Sequence, residues 1–331
     1  LAKLCIIMIA LMGSFKLVIF MMRLTIIGFG NQAKSWALNL KDSGFPVRVA
    51  LRPDSPSYDA AVRLGLDVTE IGSPEFYGDG AYALLTPDLA HNEFLVSQAH
   101  QFTPGTLILY AHGFSLLAND FHGRYPHLQH VLFAPKSIGS ELRRQFVLKG
   151  KLGAVFSLEH YQGTKADTEA WLRELARALG INLGPFATTF EHETRADLYS
   201  EQGLLCSLVP YAAGEMFSHL VETGVEPELA FFECWHELKL IVDAMVDKGP
   251  EGFFDLISPN ALVGSEKGYD RLVTDDFRNR LRSLLTEIQD GTFNRELANT
   301  NVEETRQRIR DRWRRSPLQR TFETIHRQDT P

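Results

Sequence analysis

The period of the apolar residues changes near the middle of this chain. The first half alternates short apolar runs with helical stretches, and the second half keeps helical spacing almost to its end. The leading motif is Leu24-Thr-Ile-Ile27, then Gly28-Phe29-Gly30-Asn31-Gln32-Ala33, then a helical stretch through Leu40. It predicts a strand, a tight glycine turn and a helix opening. Pro46-Val-Arg-Val-Ala-Leu51 follows at the right distance for a second strand, and further strands are expected at 81–85, 106–110, 130–134 and 153–158. A helix over 167–179 puts Trp171, Leu172, Leu175 and Leu179 on one face. Beyond Gly184 the strand pattern fades and helical spacing runs to His326, with one helix over 278–288. The expected architecture is an α/β Rossmann domain over residues 23–184, followed by an all-α domain over 185–328.

Residues 1–22 stand apart. The stretch 4–20 is almost wholly apolar, broken by Gly13, Ser14 and Lys16. Such a run suits a signal peptide or a membrane anchor, yet no small-residue cleavage site follows it and a strand begins at Arg23 without a linker. We read it as an N-terminal extension or an over-extended start, and expect no membrane association.

Composition narrows the function. Hydrophobic content of 44% with 23% charged residues belongs to a globular chain rather than a disordered one. A formal net charge of −7 gives no general attraction to nucleic acid or anionic membrane. The basic run 306–315 is interrupted by Asp311 and Ile309 and reads as a solvated helix face. Cys5, Cys206 and Cys234 are odd in number and lack CxxC spacing, so reduced thiols and a cytoplasmic location are expected.

Two sets of residues carry chemistry. In the first half, Gly28 permits the turn, Gly30 lets the backbone approach a pyrophosphate, and Ala33 keeps helix and strand close. Arg52, Ser55 and Ser57 after the second strand suit the 2′-phosphate of NADPH, with Asp54 discordant; Ser55 also suits a helix N-cap. His112 and Lys136 fall at the carboxyl ends of strands, where open α/β sheets bind ligands. In the second half, Asp197 and Glu201, and Glu233 and Glu237, form two i,i+4 acidic pairs on expected helices. Leu204, Leu205, Phe231, Phe232, Leu238, Leu240 and Ile241 are expected to bury those helices, and buried carboxylates need cations. Hard oxygen ligands at that density suit magnesium or manganese in a two-ion cluster, and salt bridges are the other solution. His236 has no second histidine at ligand spacing, and Cys234 reads as a packed thiol.

The chain resembles the ketol-acid reductoisomerases, the acetohydroxy-acid isomeroreductases of branched-chain amino-acid biosynthesis. The resemblance runs from about Leu24 into the C-terminal region. It rests on Ala37-Leu-Asn-Leu-Lys-Asp-Ser-Gly44, Ala111-His-Gly-Phe114, Ala134-Pro-Lys136, Glu193-Thr-Arg-Ala-Asp-Leu-Tyr-Ser-Glu-Gln202, Phe232-Glu-Cys-Trp-His-Glu-Leu-Lys-Leu-Ile-Val-Asp243 and Ile288-Gln-Asp-Gly291. It implies the short form, with a Rossmann domain and one knotted helical domain, acting as a homodimer or higher homo-oligomer. It also implies two Mg²⁺ ions per site, held by Asp197 and Glu201 of one subunit and by Glu233 and Glu237 of another. Ser258 would contact the substrate carboxylate, His112 and Lys136 would face the ions and the acetohydroxy acid, and Glu237 would take a proton. NADPH contacts would fall on Gly28, Phe29, Gly30, Asn31, Gln32, Arg52, Ser55, Ser57, Asp88, Leu89, Ala90, His91 and Gly139. The chain departs from the family at Ala33-Lys34, Ile138, Leu262 and Val263; the family carries Gly-His, Pro, Glu and Tyr there. The last two border the substrate pocket, so a divergent member is implied. A related reductase without isomerisation and a silent NADP-binding paralogue are the alternatives.

Overall fold

The structure, a computed structural model, describes residues 22–328. The reading of residues 1–22 lies outside the described residues except for Met22, which packs against the core. The chain divides into two units, between Thr194 and Arg195.

The first unit is built on one eight-stranded sheet ordered β3-β2-β1-β4-β5-β6-β7-β8. Its strands are β1 (Leu24–Ile27), β2 (Val47–Leu51), β3 (Val68–Glu70), β4 (Ala81–Leu84), β5 (Leu107–Tyr110), β6 (Gln129–Pro135), β7 (Gly153–Ser157) and β8 (Leu183–Ala187). Strands β1 to β6 run parallel, β7 is antiparallel to β6, and β8 is parallel to β7. The parallel strands are short apolar runs because helices cover both faces. On one face, helices α1 (Asn31–Asp42), α4 (Gly139–Leu148) and α5 (Lys165–Leu179) pack Trp36, Leu40, Leu142, Trp171 and Leu175 against Leu24, Ile26 and Phe133. The other face buries Phe76, Tyr82, Tyr110, Phe121, Leu132 and Phe190, with helix α3 (Asp88–Gln98) adding Leu95, whereas helix α2 (Tyr58–Arg63) packs Ala61 against the first face. Chain order reverses between β1 and β4, so the crevice beyond their carboxyl ends is the switch point where such folds bind ligands.

Two strands escaped the pattern. β3 is only three residues long, and β8 contains Gly184 and Pro185, which break a strand signal but are tolerated at a sheet edge. Because β8 runs to Ala187 and Phe190 is fully buried in the first core, the first unit extends ten residues past the boundary expected at 184.

The second unit is helical. Helix α6 (Phe190–Ser200) passes through a π-helical turn, Glu201–Leu205, towards α7 (Leu208–Glu222). The helix Pro227–Phe231 and a second π turn, Phe232–His236, precede α8 (Glu237–Phe254). Then follow α9 (Pro259–Leu272), α10 (Asp275–Gln289), α11 (Val302–Arg315) and α12 (Pro317–Gln328), with a short helix at Thr292–Ala298. Its buried core is small, built on Phe217, Ala230, Phe231 and Leu318 with Trp235 and Trp313 packed against it. The expectation that apolar flanks bury the acid-bearing helices is corrected here. Phe231 is buried, but Leu204, Leu205, Phe232 and Leu240 stay 46–58% exposed, because one copy of this unit has more apolar surface than its own helices cover. The run Phe190–Glu222 is long and apolar enough to cross a membrane by length and composition alone.

One buried pair has a pH consequence. The Tyr110 hydroxyl donates to His130 Nδ1 at 3.0 Å, and His130 Nε2 donates to the Tyr125 carbonyl at 3.3 Å, so the imidazole is held neutral. Burial lowers its pKa from 6.5 to about 4. The unfolded chain binds this proton near pH 6.5 and the folded chain only near pH 4. Stability is therefore full above the upper value and falls through that window, by about 3 kcal/mol from this group. Urea denaturation at pH 7 and pH 4.5 should show that loss in the parent and a clearly smaller one in His130→Gln; identical slopes would contradict it.

Candidate functional site

The crevice at the switch point starts with the turn after β1. Gly28 has φ +101°, and a Cβ there would lie 2.9 Å from Thr86 Cγ2, so only glycine fits. A Cβ on Gly30 would meet nothing within 4 Å, which leaves its backbone open to a ligand. Gly30 caps α1 with no side-chain hydrogen bond, so the first N–H groups of that helix and its positive dipole end remain available to phosphate. A cavity of about 570 Å³ opens from this turn. Of the residues expected to meet a cofactor, Gly28, Phe29, Gly30, Arg52, Ser55, Ser57 and Ala90 line it. Asp54 takes a left-handed conformation, φ +62°, and does not line the cavity, so the discordant acid is off the ribose end. Ser55 is not the N-cap; Ser57 holds that position, and Ser55 Oγ accepts the Ser57 N–H at 3.4 Å.

The remaining expected cofactor residues do not line this cavity. Asn31 and Gln32 form the first turn of α1. Gly139 is buried, and a Cβ there would lie 2.3 Å from the Asn31 carbonyl oxygen. Its role is to let α4 start hard against α1. Asp88 and Leu89 open α3, with Leu89 exposed. His91 is buried: Nε2 donates to the Thr86 carbonyl at 3.0 Å and Nδ1 accepts from Ser115 Oγ at 2.7 Å. Both ring nitrogens are used, so His91 braces the turn after β4; burial keeps it uncharged by lowering its pKa.

The ends of β5 and β6 deliver His112 and Lys136 to one carboxylate, Glu193, on the first turn of α6. Glu193 Oε2 accepts from the Gly113 N–H at 2.8 Å and from His112 Nδ1 at 3.0 Å, and Oε1 accepts from Lys136 Nζ at 2.6 Å. The Glu193 side chain is 1% exposed, against 20% for His112 and 38% for Lys136. Gly113 is required because a Cβ would sit 2.4 Å from Thr194 Oγ1 and 2.7 Å from the Phe190 carbonyl oxygen. Burial pushes the Glu193 pKa up, but the hydrogen bond and charge of His112 and the Lys136 ammonium outweigh it and hold the carboxyl below its usual range. The Lys136 ammonium is thus partly exposed and charge-paired. Glu193 was missed in the sequence, although the signal was there: it lies four residues before Asp197, on the same helix face.

Each acidic pair straddles a junction between α and π helix, where regular α-helix was expected. Asp197 is in α6 and Glu201 opens the first π turn, whose Cys206 N–H reaches the Glu201 carbonyl at 3.0 Å. Glu233 is in the second π turn and Glu237 opens α8. An i→i+5 turn holds about one residue more than an α turn, which brings side chains four apart closer to eclipse. Asp197 is half-buried and the other three acids are exposed. Among the described residues, Glu201, Glu233 and Glu237 join no grouping of three or more metal-ligand side chains. Glu233 and Glu237 border an apolar groove of about 490 Å³ lined by Leu208, Ala212, Met216 and Ile241. Ser258 caps α9, its Oγ accepting the Ala261 N–H at 3.2 Å. Cys234 is packed beside the second core, as expected of a structural thiol.

Residues 18–184 match the family model "Acetohydroxy acid isomeroreductase, NADPH-binding domain", and residues 190–328 match "Ketol-acid reductoisomerase, C-terminal domain". The chain is 34% identical to the ketol-acid reductoisomerase (NADP(+)) of Xanthomonas oryzae pv. oryzae, over 82% of this chain and 81% of that one. The chain belongs to the ketol-acid reductoisomerase family. A solved NADH-preferring ketol-acid reductoisomerase from an uncultured archean superposes with a TM-score of 0.80 at 24% identity, covering 92% of this chain and 94% of that one. A semialdehyde dehydrogenase NAD-binding protein from Cupriavidus necator shares the fold at TM-score 0.60 and 18% identity, over 81% and 99% of the two chains. The reading of the chain as an oxidoreductase with a Rossmann domain and a helical domain therefore holds.

In this ketol-acid reductoisomerase family member, Glu193→Gln should cost about 2 kcal/mol of stability in the first unit, because a charge-assisted network loses its anion. The stabilisation from Glu193 is present above the ordinary carboxylate range and is lost only as pH falls through its lowered pKa. Thermal denaturation from pH 7 to pH 3 should thus show the parent converging on the variant in acid; a constant gap would contradict the pairing.

Proposed function

We propose that the chain is a magnesium-dependent isomeroreductase. It converts 2-acetolactate-type acetohydroxy acids to 2,3-dihydroxy acids by alkyl migration and NADPH reduction, in cytoplasmic branched-chain amino-acid biosynthesis. The observation that carries this reading is Glu193. It holds a lysine and a histidine at the sheet's carboxyl ends, and its own helix presents Asp197 one turn later.

The residues present fit the implied groups. Gly28, the open backbone at Gly30 and the uncapped start of α1 suit a pyrophosphate, and Arg52 with Ser55 and Ser57 suits a 2′-phosphate. Asp197 with Glu201, and Glu233 with Glu237, supply the hard oxygen donors that magnesium prefers. The apolar groove beside Glu233 and Glu237 and the exposed flanks favour a homodimer or higher homo-oligomer, with the helical unit knotted and each site drawing one acid pair from each subunit. When bound, two magnesium ions would absorb the charge that develops as the alkyl group migrates, and NADPH would supply the hydride. Lys136 and His112 orient the substrate from the sheet side, their own orientation set by Glu193. Glu237 takes the hydroxyl proton. Ser258 Oγ accepts the Ala261 N–H while its own O–H donates to the substrate carboxylate.

A second reading, reduction without rearrangement, is favoured by the exposed apolar Leu262 and Val263 two turns or less from Ser258. NADPH oxidation followed in a magnesium titration, with 2-acetolactate and separately with 3-hydroxy-3-methyl-2-ketobutyrate, separates the two. Turnover of both supports the isomeroreductase, and turnover of only the latter removes the isomerase step. Glu233→Gln should abolish turnover of 2-acetolactate with circular dichroism unchanged, since the side chain is exposed; persistent isomerisation would remove the metal role. Arg52→Ala should weaken NADPH binding by about tenfold or more and leave NADH nearly unaffected. Equal losses in calorimetry would move the 2′-phosphate site elsewhere.

A further inference from the structure

We propose that Glu93 reads the 6-amino group of the cofactor's adenine and makes the cavity selective for that base. The inference rests on the reading of the cavity as the NADPH site. Helix α3 turns Ala90, Glu93, Phe94 and Ser97 towards the cavity, a spacing that forms one helix face. The other wall comes from the end of β2 and the residue after β3, where Pro53 and Ile71 are apolar. Between Ala90 and Phe94 on one side and Pro53 and Ile71 on the other, the lining suits a flat apolar ring.

Polar groups at this end are mostly committed. Ser97 Oγ donates to the Phe94 carbonyl at 2.9 Å and accepts from Gln98 Nε2 at 3.2 Å, while Gln98 Oε1 accepts the Tyr77 hydroxyl. Glu93 differs: its carboxylate lines the cavity, is exposed to it, and makes no hydrogen bond or ion pair among the described residues. An ionised carboxylate only accepts. Adenine offers one donor, its 6-amino group, among ring nitrogens that accept, so Glu93 can pair with that group; a 6-oxo base puts an acceptor there and moves its donor to N1, away from a carboxylate placed for the 6-amino group. The ribose end is served from the opposite wall by Arg52, Ser55 and Ser57, which leaves the base edge for Glu93.

The test is calorimetric binding of NADPH and its hypoxanthine (6-oxo) analogue to the full chain and to Glu93→Gln. Hydrogen bonding to a charged acceptor predicts that the parent prefers NADPH by about tenfold or more. The variant should bind the two within about twofold, because an amide both donates and accepts. Equal affinities in the parent overturn the proposal. So does a preference that survives in Glu93→Gln with both affinities lowered alike, which would put Glu93 on a ribose hydroxyl. If the parent binds neither dinucleotide, the cofactor reading itself falls and the proposal with it.

Discussion

A single dehydrated carboxylate organises the first unit's functional end. Glu193 draws a backbone N–H, an imidazole and an ammonium from two strand ends onto one helical residue. An ionised acid in that position is costly unless every lone pair is answered, and here the answers come from segments 57 to 81 residues away in sequence. The rotation of α6 about its axis is thereby fixed at its first turn.

The parallel sheet was readable because strands covered on both faces are nearly continuous apolar runs, as in Leu24–Ile27 and Leu107–Tyr110. β3 and β8 were not, since three residues give no pattern and Gly184-Pro185 reads as a break. At the switch-point crevice the residues fixed by backbone geometry line the cavity: Gly28 in a left-handed turn, Gly30 in open space. His91 and Gly139 were expected at the same crevice but do not line its cavity, and no one-dimensional pattern separates a residue lining a cavity from one packed behind it. Glu193 escaped although its spacing to Asp197 put both on one helix face. Its role comes from partners remote in sequence.

The helical unit shows the opposite failure. Its apolar residues were correctly found, but a sequence cannot say which molecule covers them, and within one chain Leu204, Leu240 and Val246 remain at the surface. The π turns at Glu201–Leu205 and Phe232–His236 are likewise silent in the sequence, since one extra residue per turn barely disturbs an apolar stripe. Both occur where the acidic pairs lie, so each of these two irregular turns carries part of one carboxylate pair.

The close approach of Gly139 to Asn31 links two parts of the first unit mechanically. Only Ser137 and Ile138 separate Lys136 from Gly139, and Gly139 abuts the carbonyl of the residue that begins α1. A methyl group there would act as a wedge, prising α1 from α4 and shifting the lysine and the glycine turn together. The absence of a side chain at this one position thus keeps two helix starts, and the strand end leading into one of them, in mutual register.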